Sequence, residues 1–217
     1  MNRLVDVLKR GFIAQQGGHG RLGSALLCVL LTMATVLDSP TVHAWGAMQH
    51  EIAAQIGAAY LSKVSRQRIR DLLGDESLAD ASTWADRMRD NPAPFWQEQA
   101  GPYHYVTVPP GRRYDQIGPP RHGDAVTALA QFAADLQNPG VSREHQQLAL
   151  RFAIHIVQDL QQPLHVGNGR DRGGNDVVVQ VHDEPSNLHR LWDRQIFEST
   201  RRSQQEWLQY FDRSGLL

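Results

Sequence analysis

Apolar residues recur every three or four positions along most of the chain beyond residue 45, which is the spacing of one helix face. In the segment 123–137, for example, Val126, Leu129 and Phe132 fall on the same side. The spacing predicts helices over residues 46–62, 78–90, 123–137, 142–161 and 187–199, and a short helix that ends at Gly74. The chain is therefore expected to be mainly α.

Residues that begin and end helices support these limits. Ser65, Ser142 and Ser186 are expected to be N-caps, because a serine hydroxyl accepts a hydrogen bond from a free amide of the first turn. Proline disfavours helical geometry in the residue before it, so Pro92 and Pro163 are expected to end the helices that precede them.

Two stretches depart from the helical pattern. Residues 91–121 contain seven of the eleven prolines and are expected to form a loop, with a short extended piece at 103–106. Farther along, a glycine turn at 171–175 leads into the valine-rich run 177–181, which is typical of a strand. The expected β structure is a small strand or hairpin near residues 176–182.

The first 44 residues have the features of a Sec-type signal peptide. Four basic residues precede an apolar stretch over residues 26–37, which is too short to span a bilayer comfortably. Val42 and Ala44 place small residues at −3 and −1 of a cut before Trp45. An uncleaved membrane anchor is the alternative. Cleavage predicts a secreted or periplasmic protein, residues 45–217, with no stable membrane association.

The charge balance excludes a strongly basic protein that binds nucleic acid by bulk charge alone. The whole chain has 22 basic and 23 acidic residues, and the part after residue 44 has 18 and 21, a net charge of −3. A phosphate-binding site built from metal ions is compatible with these numbers. The only cysteine, Cys28, lies in the signal segment, so the mature protein is expected to lack a disulfide.

Histidines and aspartates are placed as ligands of metal ions would be. His155 and Asp159 are four residues apart on a predicted helix and therefore point the same way, and His189 and Asp193 repeat the spacing. His165 follows the first pair just after a proline break. Imidazole and carboxylate are ligand types that suit zinc. The alternative reading of each pair is an ordinary surface ion pair.

Five motifs together resemble the zinc-dependent single-strand nucleases of fungi and plants, also called type I nucleases or 3′-nucleotidases, which have many bacterial relatives. The motifs are Trp45-Gly46-x-x-x-His50, Trp84-Ala85-Asp86, His104-Tyr105, His155-x-x-x-Asp159-x-x-x-Pro163-x-His165 and Asn187-Leu188-His189-x-x-Trp192-Asp193. The resemblance runs from Trp45 to Asp193 and implies one helical domain of the phospholipase C/nuclease type, with three zinc ions at the bottom of a cleft.

The resemblance also implies which residues bind each ion. The first zinc would be held by Asp86, His104, His155 and Asp159. The second would be held by His165, His189 and Asp193. The third would take the free amine and carbonyl oxygen of Trp45, the ring of His50, and Asp159 as a bridge to the first. The amine becomes available only when the signal is removed, and its pKa of roughly 8 lets it bind a metal at modest cost.

The activity implied is metal-assisted hydrolysis of single-stranded DNA, RNA and 3′-nucleotides, leaving 5′-phosphates, by a monomer. Asp86 and Asp159 would be catalytic, Arg89 would hold a substrate phosphate, and Tyr105 would stack on a base, with a solvated arginine and a core aromatic as the alternatives. Family members often have an acidic or amide residue where this chain has Thr107, and they usually continue with further helices, whereas 24 residues follow Asp193 here.

Two other functions are compatible with the sequence. A zinc phospholipase C shares the three-zinc scaffold and an amino-terminal tryptophan ligand, but the short spacing from Trp45 to His50 and the aspartate at 193 resemble the nucleases. The other is a periplasmic zinc-binding protein without catalytic activity.

Overall fold

The computed structural model describes residues 45–213, so the predicted signal peptide lies outside the described residues. Helices make up most of the described chain, which confirms the mainly α prediction. The longer ones are α1 (Ala47–Ala59), α2 (Lys63–Leu73), α3 (Leu78–Arg87), α5 (Ala125–Asp135), α6 (Arg143–Asp159) and α9 (Gln204–Arg213). Shorter ones are α4 (Tyr114–Ile117), α7 (Leu188–Arg190) and α8 (Ile196–Ser199), the last two joined through a π-helical turn, Leu191–Gln195. None of the described helices has both the length and the apolar composition that a bilayer span requires.

The caps of two helices differ from the predictions. Helix α2 begins after Ser62, whose hydroxyl accepts the backbone N–H of Ser65, so the prediction of Ser65 as the cap was wrong. Helix α7 is capped by Asn187, because its Oδ1 accepts the backbone N–H of Arg190 at 2.7 Å, while Ser186 belongs to a strand. Ser142 caps α6 as predicted.

The core forms where α3, α5 and α6 pack together. Phe152 of α6 is fully buried at its centre, stacked against Phe132 of α5 and surrounded by Trp84, Trp96 and Tyr103. Small residues such as Ala85 and Ala149 let the helices approach closely. Large-to-small changes in such a core cost several kcal/mol, typically about 3–5 for Phe→Ala. The helix that carries Phe152 therefore has a firmly fixed position.

Two short pairs of strands complete the fold. Strand β1 (Val106–Thr107) pairs in parallel with β2 (Val166–Gly167), which places the segments around residues 104 and 165 side by side. Strands β3 (Val178–Val181) and β4 (Glu184–Asn187) form an antiparallel hairpin, as predicted near 176–182. Its two turn residues, His182 and Asp183, both have positive φ, as a two-residue hairpin turn of the common type requires.

The proline-rich segment contains more structure than the loop predicted for it. A π-helical turn (Phe95–Gln99) and a 3-10 turn (Gly101–His104) precede β1, and α4 follows it. Tyr103, predicted to be extended, therefore lies in a tight turn, where Pro102 supplies a fixed φ. Helix α9 has no counterpart among the predictions.

Candidate metal centre

Eight acidic and histidine side chains from distant parts of the chain meet in the interior. They are His50, Asp86, His104, His155, Asp159, His165, His189 and Asp193, and all are buried. Their ligand atoms form three groups, in each of which the atoms lie within 4.8 Å of one another. The alternative reading of the two i,i+4 pairs as surface ion pairs therefore does not fit.

The first group is formed by Asp86, His104 and His155, with Asp159 beside them. His104 Nδ1 and His155 Nε2 are 2.8 Å apart, and each is 3.0 Å from Asp159 Oδ2. Asp86 Oδ1 is 3.7 Å from His155 Nε2 and 3.9 Å from His104 Nδ1. Ligand atoms of a tetrahedral zinc with bonds of about 2.0–2.1 Å are separated by roughly 3.3 Å, so the spacing suits a small divalent ion.

The second group is formed by His165, His189 and Asp193. The two imidazole rings are nearly parallel, with centroids 5.2 Å apart. Asp193 approaches both rings, with Oδ2 3.0 Å from His189 Nε2 and Oδ1 3.8 Å from His165 Nε2. This group again presents two imidazoles and one carboxylate to a common point.

The third group is formed by His50, His155 and Asp159, and it joins the start of the described chain to the first group. His50 stacks on His155 with ring centroids 4.3 Å apart, and its Nε2 lies 3.3 Å from Asp159 Oδ1. The other oxygen of Asp159 faces His104 and His155, so this carboxylate presents one oxygen to each of two groups. Trp45 lies edge-on to His50 at 6.2 Å.

Backbone contacts place the first residues beside the second group. The N–H of Gly46 donates to the carbonyl oxygen of Asp193 at 2.8 Å, and Gln49 Nε2 donates to the same oxygen at 2.7 Å. A Cβ on Gly46 would lie 2.7 Å from Gln49 Oε1 and 3.2 Å from the Asp193 carbonyl oxygen, so a larger residue here would displace the Gln49 side chain. The acceptor belongs to the π-helical turn, an irregularity that is frequent at functional sites.

Four of the five histidines are oriented by a hydrogen bond on the nitrogen that faces away from the cluster. The Nδ1 atoms of His155, His165 and His189 lie 2.6–2.8 Å from the backbone carbonyls of Ser82, His104 and Gly173, respectively. His50 Nδ1 is 2.6 Å from Gln158 Oε1. A carbonyl can only accept, so in the neutral ring Nδ1 carries the proton and Nε2 has the lone pair. This is the tautomer of a histidine that binds metal through Nε2.

Buried polar atoms of the cluster lack hydrogen-bond partners. Among the described residues, the buried atoms without a well-formed hydrogen bond include His50 Nε2, Asp86 Oδ1, Asp159 Oδ1, His165 Nε2 and Asp193 Oδ2, although Asp86 Oδ1 has an ion-pair contact with Arg89. Leaving such atoms unsatisfied costs about 1–3 kcal/mol each, more where they are charged. One or more of them belongs to each of the three groups, and all are nitrogen or oxygen donors. The donor set therefore fits divalent metal ions.

The pKa values of the first group also indicate a site that favours a cation. Burial raises the pKa of Asp159, but the charge of His155 and hydrogen bonds from neighbouring histidines hold it well below its ordinary value. Burial lowers the pKa of His155, yet Asp159 and Asp86 outweigh burial and raise it to about 9. Burial prevails at His104, whose pKa is lowered to about 4. At neutral pH the positive charge beside Asp159 is a second proton on His155, at Nε2; a divalent ion bound there would replace that proton and provide the same compensation.

A cavity of about 780 Å³ opens over this cluster, and three of the histidines, His104, His165 and His189, form part of its wall. Arg89 and Tyr105, the predicted substrate-binding residues, both line it. Arg89 Nη2 lies 2.9 Å from Asp86 Oδ1. Tyr105 is half exposed, so the alternative reading of a core aromatic does not fit.

Several residues around the site could not be recognised from the sequence. The buried side chains of Gln49 and Gln162 hydrogen-bond Asp193, and Gln158 orients His50. Arg170 and Arg172 line the cavity. The partners of these glutamines are distant in sequence, so no regular spacing, such as the i,i+4 spacing of the histidine and aspartate pairs, marks them. The arginines likewise belong to no recognisable pattern. The sequence Gln162-Pro163-x-His165, just after a ligand-bearing helix, is the one local signal that marks Gln162.

Comparison with known proteins gives a consistent match. The S1/P1 Nuclease family model matches residues 45–214. The chain is 28% identical over 193 residues to Endonuclease 2 of Arabidopsis thaliana, covering 82% of this chain and 64% of the relative. It is 31% identical over 179 residues to Nuclease S1 of Aspergillus oryzae (77% and 60%) and 27% identical over 164 residues to Nuclease P1 of Penicillium citrinum (69% and 57%). The chain thus spans about three fifths of the length of the curated relatives it matches.

Proposed function

The chain belongs to the S1/P1 nuclease family, and from this membership and the buried cluster we propose that it is a metal-dependent nuclease that hydrolyses phosphodiester bonds. The observation that carries the proposal is the set of buried, unsatisfied donor atoms at the bottom of a cavity. The atoms of each group converge on a common point, where a cation would satisfy them together, and Asp86 Oδ1 has the Arg89 guanidinium beside it as well.

Three zinc ions are the proposed cofactors. Asp86, His104, His155 and Asp159 would hold the first, and His165, His189 and Asp193 the second. The third would be held by His50 and Asp159 with the amine and carbonyl of Trp45. When bound, zinc supplies Lewis acidity to water and to phosphate oxygens.

The side chains of the protein contribute orientation and charge to the proposed reaction. Asp86 Oδ1 pairs with the Arg89 guanidinium and would also accept a hydrogen bond from the attacking water, which orients that water toward phosphorus. The Arg89 guanidinium lies beside it on the cavity wall and would hold a phosphate oxygen, positioning the bond to be broken. Asp159 is fully buried and presents an oxygen to each of two groups, so it would hold their relative position.

Single-stranded nucleic acids and 3′-nucleotides are the proposed substrates, with 5′-phosphates as products. The cluster is buried below the cavity, so a phosphate must enter to reach it, which a flexible strand can do more readily than a stiff duplex. Tyr105, half exposed on the cavity wall, provides a surface for a base, and stacking of this kind tolerates any base.

Export and maturation belong to the same proposal. The protein would be secreted or periplasmic, processed at Trp45, monomeric, and without stable membrane association. The tryptophan amine becomes a ligand only after processing, so assembly of the third site would be tied to export.

The decisive experiment measures metal content and activity on one preparation of the processed protein. We expect three zinc ions per chain, cleavage of single-stranded DNA, RNA and 3′-AMP, and much slower cleavage of duplex DNA. Phosphatidylcholine is the substrate that distinguishes a phospholipase C. Lipid cleavage without nucleotide cleavage would overturn the proposal, and a zinc-loaded protein that is inert toward every phosphoester would identify a non-catalytic binding protein.

A further inference from the structure

The wall of the cavity is cationic although the protein is not. The described residues that line it include Arg89, Arg170 and Arg172, and no aspartate or glutamate is among them. The chain as a whole has a net charge of −1. A concentration of positive charge beside a proposed phosphodiester site indicates a surface for a polyanion, because local fields attract charged ligands independently of the net charge.

The loop that carries Arg170 and Arg172 is held firmly against the metal centre. Gly173 O accepts a hydrogen bond from the Nδ1 of His189 at 2.8 Å, so the residue next to Arg172 orients a proposed metal ligand. Gly173 has φ +64°, and a Cβ there would lie 2.6 Å from the carbonyl oxygen of Leu164. Any residue other than glycine at position 173 would therefore prevent the loop from approaching the segment before His165 this closely.

Side-chain hydrogen bonds fix the rest of the loop. Asn168 Oδ1 accepts the backbone N–H of Arg170 at 2.7 Å, and Asn168 Nδ2 donates to Asp171 Oδ2 at 2.8 Å. Asp171 Oδ1 accepts the N–H of Gly174 at 3.1 Å. The backbone positions of the two arginines are thus set relative to the cluster, while their side chains extend into the cavity wall.

Neighbouring acidic residues neutralise the positive charges of Arg170 and Arg172 only weakly. Asp171 is committed to the hydrogen bonds within the loop. Arg172 Nη1 lies 3.4 Å from Asp176 Oδ1, but both side chains are largely exposed, and exposed pairs of this kind contribute little. A phosphate that approaches the cavity can therefore replace Asp176 as the partner of Arg172, because breaking the exposed ion pair costs little free energy.

We propose that Arg170 and Arg172 bind the backbone phosphates that flank the cleaved bond of a single-stranded polynucleotide, an inference that rests on the proposed nuclease function. Arg89 lies beside Asp86 and serves the phosphate at the cluster, whereas Arg170 and Arg172 lie on a loop whose Gly173 and Gly174 contact the cluster at His189. The two loop arginines distinguish a polymer, which has flanking phosphates, from a dinucleoside monophosphate, which has only the one to be cleaved.

The test compares two double variants with the same change in charge. Arg170→Gln/Arg172→Gln removes the proposed contacts, and Arg68→Gln/Arg213→Gln removes two exposed arginines that do not line the cavity. For the first variant we expect kcat/KM on an oligothymidylate to fall about tenfold at low salt, and its log–log salt dependence to flatten by about 1.4, because each phosphate contact on a single strand contributes about 0.7. Cleavage of a dinucleoside monophosphate and zinc content should be unchanged, and the control variant should resemble the native protein.

Modified substrates test the same contacts from the side of the nucleic acid. Replacing the flanking linkages of a short end-labelled oligonucleotide by uncharged methylphosphonates should slow cleavage of its central bond in the native protein. It should have no further effect in Arg170→Gln/Arg172→Gln, because the charges that it removes no longer have partners. Effects that simply add would overturn the proposal.

The outcomes separate this inference from the proposed function. If the double variant loses activity equally on polymer and dinucleotide, or loses none, the flanking-phosphate role is wrong while the nuclease function stands. If the native protein cleaves neither substrate, the nuclease function fails. Binding of a fluorescent oligothymidylate, measured by anisotropy, then decides the role of the arginines independently: weaker binding by the loop variant than by the control supports it, and equal binding overturns it.

Discussion

At the scale of single residues, the amide group of Gln162 connects Asp193 to the backbone just before His165. Its Nε2 donates to Asp193 Oδ1 at 2.7 Å, and its Oε1 accepts the N–H of Leu164 at 2.5 Å. The side chain is fully buried, so water cannot replace either bond. The contact occupies one oxygen of Asp193 and leaves Oδ2, which makes no hydrogen bond, beside His189. Gln162 thereby fixes the orientation of a carboxylate that we propose as a metal ligand.

We predict that Gln162→Leu weakens zinc binding at the second group, since loss of such supporting contacts typically costs about 10–100-fold in metal affinity. Competition with a chromophoric chelator measures the effect. Gln161→Leu is the matched control, because the neighbouring glutamine is exposed. Native affinity in the Gln162 variant, or an equal loss in both variants, would show that Gln162 has no orienting role.

The proposed ligands can be separated from other histidines by substitution. We expect His155→Ala and Asp159→Ala to lower nuclease activity to background, because each removes a fully buried donor that faces two groups. His145→Ala should retain activity, since His145 is half exposed and pairs with Asp135. Zinc content and initial rates on single-stranded DNA provide the measurements. An active Asp159→Ala protein would contradict the assignment of that carboxylate.

At the scale of elements, α6 connects the core to the site. Phe152 and Ile156 pack into the core, while His155 and Asp159 reach the metal centre. The i,i+4 relation directs the two ligands to one point, and the aromatic packing around Phe152 prevents the helix from rotating. The same helix is tied to α5 near its beginning, where His145 Nε2 lies 2.9 Å from Asp135 Oδ2.

This tie between α5 and α6 predicts a dependence of stability on pH. The hydrogen bond from His145, with a second from Gln131, lowers the pKa of Asp135 below its ordinary value of 3.8. A carboxyl with a lowered pKa in the folded state stabilises the fold above the ordinary value, and the contribution is lost as the pH falls through the lowered one. The free energy of unfolding of native protein should therefore exceed that of Asp135→Asn at about pH 5, and the difference should shrink below pH 3.8.

Denaturant titrations at several pH values, on both proteins, measure this difference. Comparing the two proteins cancels the effect of acid on the metal centre, which they share. A difference that grows as the pH falls would show that Asp135 is not stabilised by its partners in the folded protein.

Apolar periodicity was sufficient to predict the five long helices between residues 46 and 161, each of which buries apolar residues on one face, but not α9, which has no buried residue. It could not select Ser62 over Ser65 as a cap, since both serines precede the apolar stripe and only the geometry of the first turn decides. It also missed the 3-10 turn at Tyr103, where packing against Phe132 and Phe152 overrides local preference. Boundaries and irregular turns depend on tertiary contacts that no local pattern contains.

The candidate site divides in the same way. The pairs His155/Asp159 and His189/Asp193 could be predicted because helical spacing brings their side chains together. The approach of His104 to Asp159 depends on the pairing of β1 with β2. Each of these strands has two residues, which is too short for a recognisable strand pattern in the sequence. The glutamines and the loop arginines depend on hydrogen bonds across long separations in sequence, so only the folded structure reveals them.

At the scale of the whole molecule, the first residues after the predicted cleavage point close the site rather than extend away from it. The N–H of Gly46 and the side chain of Gln49 both bind the carbonyl of Asp193, and His50 stacks on His155. The start of the processed chain is thereby fixed between the second and third groups. A free amine at Trp45 would be delivered to the centre by contacts that do not themselves involve the amine.

This arrangement predicts the consequence of a single residue added before Trp45. The addition turns the amine into an amide, which cannot bind zinc as an amine does, while the contacts of Gly46 and Gln49 remain available. We expect the extended protein to fold, to bind two zinc ions instead of three, and to lose most of its nuclease activity. Removing the extension with a specific aminopeptidase should restore both, which distinguishes loss of the amine from misfolding. Full zinc content and activity in the extended protein would exclude the amine of Trp45 as a ligand and, with it, the link between export and assembly of the third site.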